Sequence, residues 1–502
     1  MTYLLAVAAG ALYCLGFAPF DWWPLCFAAI ALLFVLAQMD GIRLGWLAWC
    51  FGIGKYGVGV SWVYVSIHVY GGAPPPLAGF LVVLFVAALA GLFCLPMGWL
   101  YGRLRQRDLP WGGLNVLVFA GVWVLFDWLS SWFLTGFPWL LPGYAFMQTP
   151  LANVAPIIGV LGLSMIAVLS AAACGAWVFS RAWRGGRWWS MPLAAYALGG
   201  WALGLALYWV DWVTPVSSHS VALVQGNIDQ NLKWQPDQAG PNIRRHVELS
   251  AKHWDADLIV WPEAAVTLFP RQASVLLEQL GERAHASATN VVLGIPGLEA
   301  LADGRYAVTN TALALGLGRG RYAKVHLVPF GEYVPLEGLL RGLIGFFDLP
   351  MSSSSPGRTG QPNLQLSMGE AAMAICYEVA YPETMRRAAR SASVLMTISN
   401  DTWFGGSIGP LQHMQIAQMR ALENGRWMLR DTNNGITAIV DHKGAIVDKL
   451  PQFETGVLRG EFRVMHGRTP YSYLGHWPTL LVLFLLLGWR ARPLWSRPLK
   501  PV

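Results

Sequence analysis

The chain has 502 residues, 55% of them hydrophobic and only 13% charged, and it carries 26 tryptophans, a balance that excludes an ordinary soluble enzyme. Its formal charge of +7 is unevenly placed: residues 211–474 hold 23 Lys and Arg against 24 Asp and Glu, and the remainder holds 12 against 4. The basic residues thus sit in loops between apolar runs. No clustered basic face of the kind that binds nucleic acid is present, and the class is a membrane protein carrying one polar domain.

A bilayer core of about 30 Å is crossed by roughly 20 mostly apolar residues. Seven such runs precede the polar block, at 3–17, 22–37, 44–67, 77–101, 114–134, 155–180 and 191–210, and an eighth follows at 477–489. The first lacks a basic start and a clear cleavage site, so it reads as a retained helix rather than a removed leader. Alternate connections carry Arg43, then Arg103, Arg105 and Arg107, then Arg181, Arg184 and Arg187, and the tail carries Arg490, Arg492, Arg497 and Lys500. The connections at 18–21, 68–76 and 135–154 have no Lys or Arg. The positive-inside rule then places both termini in the cytoplasm and the polar block outside it, in the periplasm of a two-membrane bacterium. The expected domains are a seven-helix bundle at 1–210, an outward-facing domain at 211–474, and an eighth helix with a basic tail at 475–502. Lys55 and Asp127 fall inside apolar runs, where an ionisable side chain is either satisfied locally or lines a substrate path.

The polar block alternates short β-branched runs, at 221–225, 258–261, 291–295, 308–314, 371–375, 394–398 and 436–441, with helical patterns at 242–254, 272–287, 382–391 and 411–426. Alternation of this kind predicts an α/β layered domain. Three strand ends carry chemistry. The run at 258–261 leads into Pro262-Glu263; Lys324 precedes an apolar run and a turn; and Cys376 ends the run at 371–375. In layered α/β domains sites gather at the carboxyl ends of strands, so the three are expected to converge.

Cys376 is the one cysteine of the polar block, and the other five lie in apolar segments. A free cysteine is often only a small buried hydrophobe, but a carboxylate beside it can take the thiol proton, and a nearby Lys⁺ lowers the thiol pKa. The lysine, with a backbone N–H just after the nucleophile, would also steady the oxyanion of a tetrahedral intermediate. Together these make a machine for acyl transfer. A thiol–histidine pairing is the rival, since triads assemble in space rather than in sequence. His326, two residues beyond Lys324, reads as a structural hydrogen-bonder rather than a base.

Trp261-Pro262-Glu263, Lys324 and Cys376-Tyr377-Glu378 resemble the Glu–Lys–Cys triad of the nitrilase superfamily. Longer phrases narrow the likeness: Gln225-Gly226-Asn227-Ile228 with Lys233-Trp234, the run from His326 through Glu332 to Pro335, and Ser399-Asn400-Asp401-Thr402-Trp403-Phe404-Gly405 are similar to the apolipoprotein N-acyltransferase family. The resemblance implies an α-β-β-α nitrilase-like sandwich on a helical transmembrane bundle of about eight helices. It implies transfer of an acyl chain from a phospholipid, typically phosphatidylethanolamine in that family, to the N-terminal amine of a diacylglyceryl-cysteine apolipoprotein, by ping-pong through a thioester. By motif match Glu263 is the general base, Lys324 the oxyanion stabiliser and Cys376 the nucleophile. Trp234, Glu332, Tyr377 and Glu378 match positions that support the site or its substrates.

The stretch 339–351 is too short to span a bilayer and very apolar for a loop. It is either buried core or an interfacial lid, and the lid reading would put Phe346 and Phe347 into the lipid. There is no metal cluster, phosphate loop or dinucleotide fingerprint, so no cofactor is expected. The alternative function is a membrane-tethered carbon–nitrogen hydrolase using the same triad with water as acceptor.

Overall fold

The computed structural model describes residues 1–184, 190–300, 304, 306–335 and 353–495. These divide into two units, one of Met1–Ser61, Gly79–Val210 and Leu474–Val502, the other of Trp62–Ala78 and Asp211–Tyr473.

The first unit is helical. Its elements include Thr2–Cys14, Trp23–Leu36, Leu44–Gly59, Gly113–Ser130, Ala155–Arg184, Ser190–Leu207 and Trp477–Trp495. By length and composition Pro75–Leu104, Gly113–Ser130 and Pro150–Ser180 can each cross a membrane, and Thr2–Cys14, Trp23–Leu36 and Leu193–Leu207 are shorter apolar helices. The chain is therefore of membrane type, while the expected total of about eight spans is not fixed by helix length. Lys55 and Asp127 are both buried and line one cavity with Phe51, Trp123 and Ser130. The Lys55 ammonium lies over the rings of Tyr13 and Tyr56, 5.3 and 5.2 Å from their centroids, so aromatic faces take up its charge.

The run expected as one span at 44–67 is broken. Its helix stops at Gly59, where Ser61 turns its hydroxyl back to the Val58 carbonyl. Beyond the break a short helix, Val63–Val65, and a wider turn, Ser66–Tyr70, belong with the α/β unit. Trp62 packs edge-on against Phe404 at 4.7 Å, Tyr70 against Trp403 at 5.8 Å, and Ser66 Oγ donates to the Trp403 carbonyl at 2.8 Å. Apolar composition alone did not distinguish a lipid-facing helix from a segment whose aromatic rings pack on protein.

The α/β unit holds two six-stranded sheets. The first comprises β1 (Val213–Gln225), β2 (Leu258–Val260), β3 (Asn290–Ala300), β4 (Tyr306–Gly316), β5 (Arg321–Ala323) and β12 (Gly456–Gly467), in the order β12-β1-β2-β3-β4-β5. The second comprises β6 (Leu364–Leu366), β7 (Gly369–Ile375), β8 (Val394–Ser399), β9 (Met428–Thr432), β10 (Ala438–Val440) and β11 (Ile446–Lys449), in the order β11-β10-β9-β8-β7-β6. Strand alternation builds the layers. In β1, Val221 and Leu223 point into a core shared with Met373, Ile375, Val394, Met396 and Ile398 of the second sheet. Ala222 and Val224 point the other way, against Leu280 and Ala284 of the helix Ser274–Ala286. Helices Pro382–Ala389 and Gly409–Asn424 pack on β7 and β9 of the second sheet, giving the α-β-β-α arrangement.

The parallel pairs decide where chemistry emerges. In the second sheet Ile375 pairs with Ile398 and Ser399 with Thr432, so Cys376, Asn400 and Asn433 leave neighbouring strand ends on one edge. In the first sheet Val260 of β2 pairs in parallel with Val292 of β3, one turn before Glu263. Strand β9 was not expected from sequence, because Arg430 and Asp431 interrupt its apolar run; both are fully buried.

An edge-to-face aromatic pair and a hydrogen bond are each worth roughly 1 kcal/mol. Trp62→Ala combined with Ser66→Ala should therefore lower the melting temperature of the α/β unit by several degrees, as about 2 kcal/mol does in a domain of this size. Scanning calorimetry of the detergent-solubilised full chain reads this, and an unchanged transition would count against the packing described.

Candidate active site

Glu263 enters through a tight turn. It follows β2, and the next residue, Ala264, adopts φ 49°, a conformation rare for a side chain with a Cβ. The turn lies directly on β3 at Gly294, where an added Cβ would stand 2.4 Å from the Pro262 carbonyl oxygen and 2.7 Å from the Glu263 Cα. Only glycine leaves room for the backbone there.

Each oxygen of the Glu263 carboxylate has its own donor. Asn310 Nδ2 of β4 donates to Oε1 at 2.6 Å, and the Asn400 backbone N–H donates to Oε2 at 2.7 Å. From beneath, Lys233 Nζ donates to the Glu263 carbonyl at 2.8 Å. Lys233 is buried, and burial pushes its pKa down to about 8 against the opposing pull of Glu263 and Cys376.

Lys324 follows β5 and is 1% exposed. Its ammonium stands 2.8 Å from Glu332 Oε2 and 3.6 Å from Glu263 Oε1, and Asn310 Nδ2 also reaches Glu332 Oε1 at 3.1 Å. Burial alone would lower the lysine pKa, but Glu332 and then Glu263 outweigh it, and the group is held charged. Glu332 is thus the tighter partner of the lysine. Asn310 was not singled out from sequence, since one Asn in an apolar strand gives little signal.

Cys376 is the first residue beyond β7 and adopts φ 54° at the start of the turn Cys376–Ala380. A non-glycine residue in this region is strained by roughly 1–3 kcal/mol and is found where the surroundings over-determine it. Burial pushes the thiol up to about 12, and the charge of Glu263 adds to the shift; Lys324 and a hydrogen bond with the Ser399 hydroxyl pull the other way. The expected lowering by lysine is present but is not the largest influence. Lysine acts in that direction, but desolvation and the neighbouring carboxylate outweigh it, and the net shift is upward.

The supporting residues sort differently. Glu378 is fully buried and accepts from the backbone N–H groups of Ile375, Val325 and His326 and from the Tyr322 hydroxyl, at 2.6–3.0 Å. It ties the turn carrying the thiol to the segment carrying the lysine. Burial pushes its pKa up to about 7, against the lowering effect of the N–H donors. Tyr377 is buried and meets Tyr381 edge-on at 5.3 Å. Trp234, half-buried at the end of Gln230–Lys233, has a buried indole Nε1 with no hydrogen-bond partner among the described residues. Phe346 and Phe347 lie outside the described residues.

The rival thiol–histidine pairing finds no support in geometry. His326 stacks on Tyr381 at 3.9 Å, contacts Thr384 Oγ1 at 2.7 Å, and is pushed down to about 4 by burial and then by Lys324. His413 does reach Cys376, but at its backbone carbonyl, 3.1 Å from Nε2. Among the described residues no group of three or more His, Cys, Asp or Glu is placed to hold a metal ion.

Two family models match the chain: the apolipoprotein N-acyltransferase N-terminal domain over residues 9–173, and carbon-nitrogen hydrolase over residues 220–468. A protein of Pseudomonas paraeruginosa named apolipoprotein N-acyltransferase is 47% identical over 500 residues, 98% of this chain and 96% of its own. One of Photobacterium profundum with the same name is 43% identical over 494 residues, 95% of this chain and 92% of its own. Among solved structures, Saccharomyces cerevisiae Nit3, a member of branch 10 of the nitrilase superfamily, covers 51% of this chain and 92% of its own at 20% identity and a TM-score of 0.37. That likeness is loose, and the assignment stands on the family models and the near-full-length relatives.

The thiol's electrostatics are directly testable. Glu263→Gln removes the carboxylate charge that raises the Cys376 pKa, so alkylation of Cys376 by iodoacetamide at pH 8 should become faster while acyl transfer is lost. In the unmodified protein the alkylation rate should keep climbing from pH 7 to 10 without a plateau, as expected of a thiol that titrates above that range. A plateau near neutral pH would show an already ionised thiolate.

Proposed function

This chain belongs to the apolipoprotein N-acyltransferase family, and from that premise we propose that its α/β unit moves an acyl chain from a phospholipid to the N-terminal amine of a diacylglyceryl-cysteine apolipoprotein. The observation that supports this most directly is the buried set Glu263–Asn310–Glu332–Lys324 standing electrostatically against Cys376.

In this mechanism Glu263 takes the Cys376 proton as the sulfur attacks an ester carbonyl of the phospholipid. Lys324 and the Tyr377 backbone N–H stabilise the oxyanion, in the manner that typically contributes 10²–10³-fold per donor. Collapse expels a lysophospholipid alkoxide, which Glu263 reprotonates, and leaves a thioester on Cys376. The lipoprotein amine then attacks the thioester, Glu263 accepts the amine proton, and the thiol is restored as the amide leaves. The base and the raised thiol pKa fit together. Once the proton reaches Glu263, the charge opposing the thiolate has gone and the charge of Lys324 remains.

Both substrates are lipids whose reacting groups lie at a membrane surface. The alternate Arg-bearing loops support an inner-membrane protein whose α/β unit faces the periplasm.

Incubation with phosphatidylethanolamine alone should add the mass of one acyl chain to the intact protein, and Cys376→Ser should abolish that adduct without loss of fold. Adding a diacylated lipopeptide should discharge the adduct onto the peptide amine. Release of free fatty acid instead would favour the hydrolase. Reporter fusions at 103–107 and 181–187 should read as cytoplasmic and those within 211–474 as periplasmic; a cytoplasmic Cys376 would overturn the topology.

A further inference from the structure

The phrase from Ser399 to Gly405 and the histidine beneath Cys376 have no part in the steps above, yet they converge on the nucleophile. Ser399 and Asn400 leave β8 beside Cys376, and Asp401 turns inward. Asp401 Oδ1 accepts from Ser399 Oγ at 2.7 Å, and Asp401 Oδ2 accepts from Arg430 Nη2 at 2.6 Å. The same Arg430 Nη2 stands 3.0 Å from His413 Nδ1, and Asp401 Oδ1 stands 3.1 Å from that nitrogen. On the far side of the ring, His413 Nε2 stands 3.1 Å from the Cys376 carbonyl oxygen. Asp401, His413 and Arg430 are all 0–1% exposed. Space for the carboxylate is specifically left: a Cβ on Gly435 would stand 2.4 Å from Asp401 Oδ2.

The hydrogen-bond chemistry fixes the ring. A carbonyl oxygen can only accept, so the proton is on Nε2. Burial and the Arg430 guanidinium disfavour a second proton and Asp401 opposes them; Nδ1 lies between the two, 3.0 Å from Arg430 Nη2 and 3.1 Å from Asp401 Oδ1, and Asp401 Oδ2 in turn holds Arg430. The Phe404 ring closes the remaining side at 5.8 Å. The peptide between Cys376 and Tyr377 is planar, with its C=O and N–H pointing in opposite directions. A donor that holds the carbonyl on one side therefore aims the N–H on the other.

We propose that His413, locked by Arg430 and Asp401, is a positioning residue that clamps the Cys376–Tyr377 peptide and so orients the backbone N–H that meets the oxyanion. This rests on the reading of Cys376 as the acylated nucleophile. It assigns a role to Asp401, His413 and Arg430 that the Glu–Lys–Cys set leaves open. It also accounts for how Cys376 keeps a left-handed backbone: its carbonyl is held from outside its own turn.

Two substitutions of equal polarity separate clamping from mere folding. His413→Gln carries an amide donor at the reach of Nε2, whereas His413→Asn places it at the position of Nδ1, short of the Cys376 carbonyl. Acylation of the full-length protein by phosphatidylethanolamine vesicles, followed by intact mass, should proceed within about 3-fold of wild type in His413→Gln. In His413→Asn it should be slowed on the order of 10–100-fold, the loss expected of a misaimed transition-state donor, with KM for phospholipid unchanged. Iodoacetamide labelling of Cys376, which needs no oxyanion donor, should be equal in the two. Equal acylation rates in Gln and Asn variants would overturn the clamp, as would unfolding of both with parallel loss of labelling. Absence of any acyl adduct in the wild-type protein would instead fault the nucleophile assignment.

Discussion

A buried ammonium shared by two carboxylates governs this catalytic unit. Lys324 has lost nearly all contact with water, and a charge so placed is tolerated only with partners in close geometry. Glu332 provides the short contact and leaves Glu263 at the longer distance, where Asn310 and the Asn400 N–H hold its two oxygens. The cluster therefore sets two carboxyl groups and one ammonium next to the thiol. Adding a thiolate beside Glu263 in so dry a place is costly, and the thiol is pushed up accordingly.

The sheets exist, in this sense, to hold that cluster dry. Parallel pairing of β7, β8 and β9 brings Cys376, Asn400 and Asn433 to adjacent strand ends, and the first sheet brings Glu263 and Asn310 to face them. Glu378 then joins the two sides, since one carboxylate receives N–H groups from both the lysine segment and the strand before the thiol. Each polar atom that the chemistry uses is thus placed by a backbone with few degrees of freedom. Small residues at Gly294 and Gly435 mark where two such backbones, or a backbone and a carboxylate, approach most closely.

Glu263 and Cys376 were legible because each follows a short apolar run, and Lys324 because it precedes one and a turn, so that in each case apolar sequence changes abruptly to a chemistry-bearing residue. The sandwich was legible for the same reason, since its central strands read as uninterrupted apolar segments. Asn310 and His413 were not. A polar residue inside a strand, or on a helix such as Gly409–Asn424, gains its meaning only from what lies across the fold. Strand β9 was hidden by Arg430 and Asp431, which look like solvated charges until burial shows otherwise. The helix expected to run on after Gly59 stops there, and the sequence did not show it because aromatic side chains that pack on protein and those that face lipid have the same hydropathy.

The placement of residues 62–78 bears on how this protein can be handled. The catalytic unit is not one continuous stretch of chain: residues 62–78 belong to it although more than 130 residues separate them from its start at Asp211. A fragment cut at 211–473 would bare the Trp403 and Phe404 faces that Trp62, Ser66 and Tyr70 cover. Two such rings left open invite self-association. Any graft of this domain onto another anchor must carry both pieces together, and a change within residues 62–78 bears on the packing of the α/β unit.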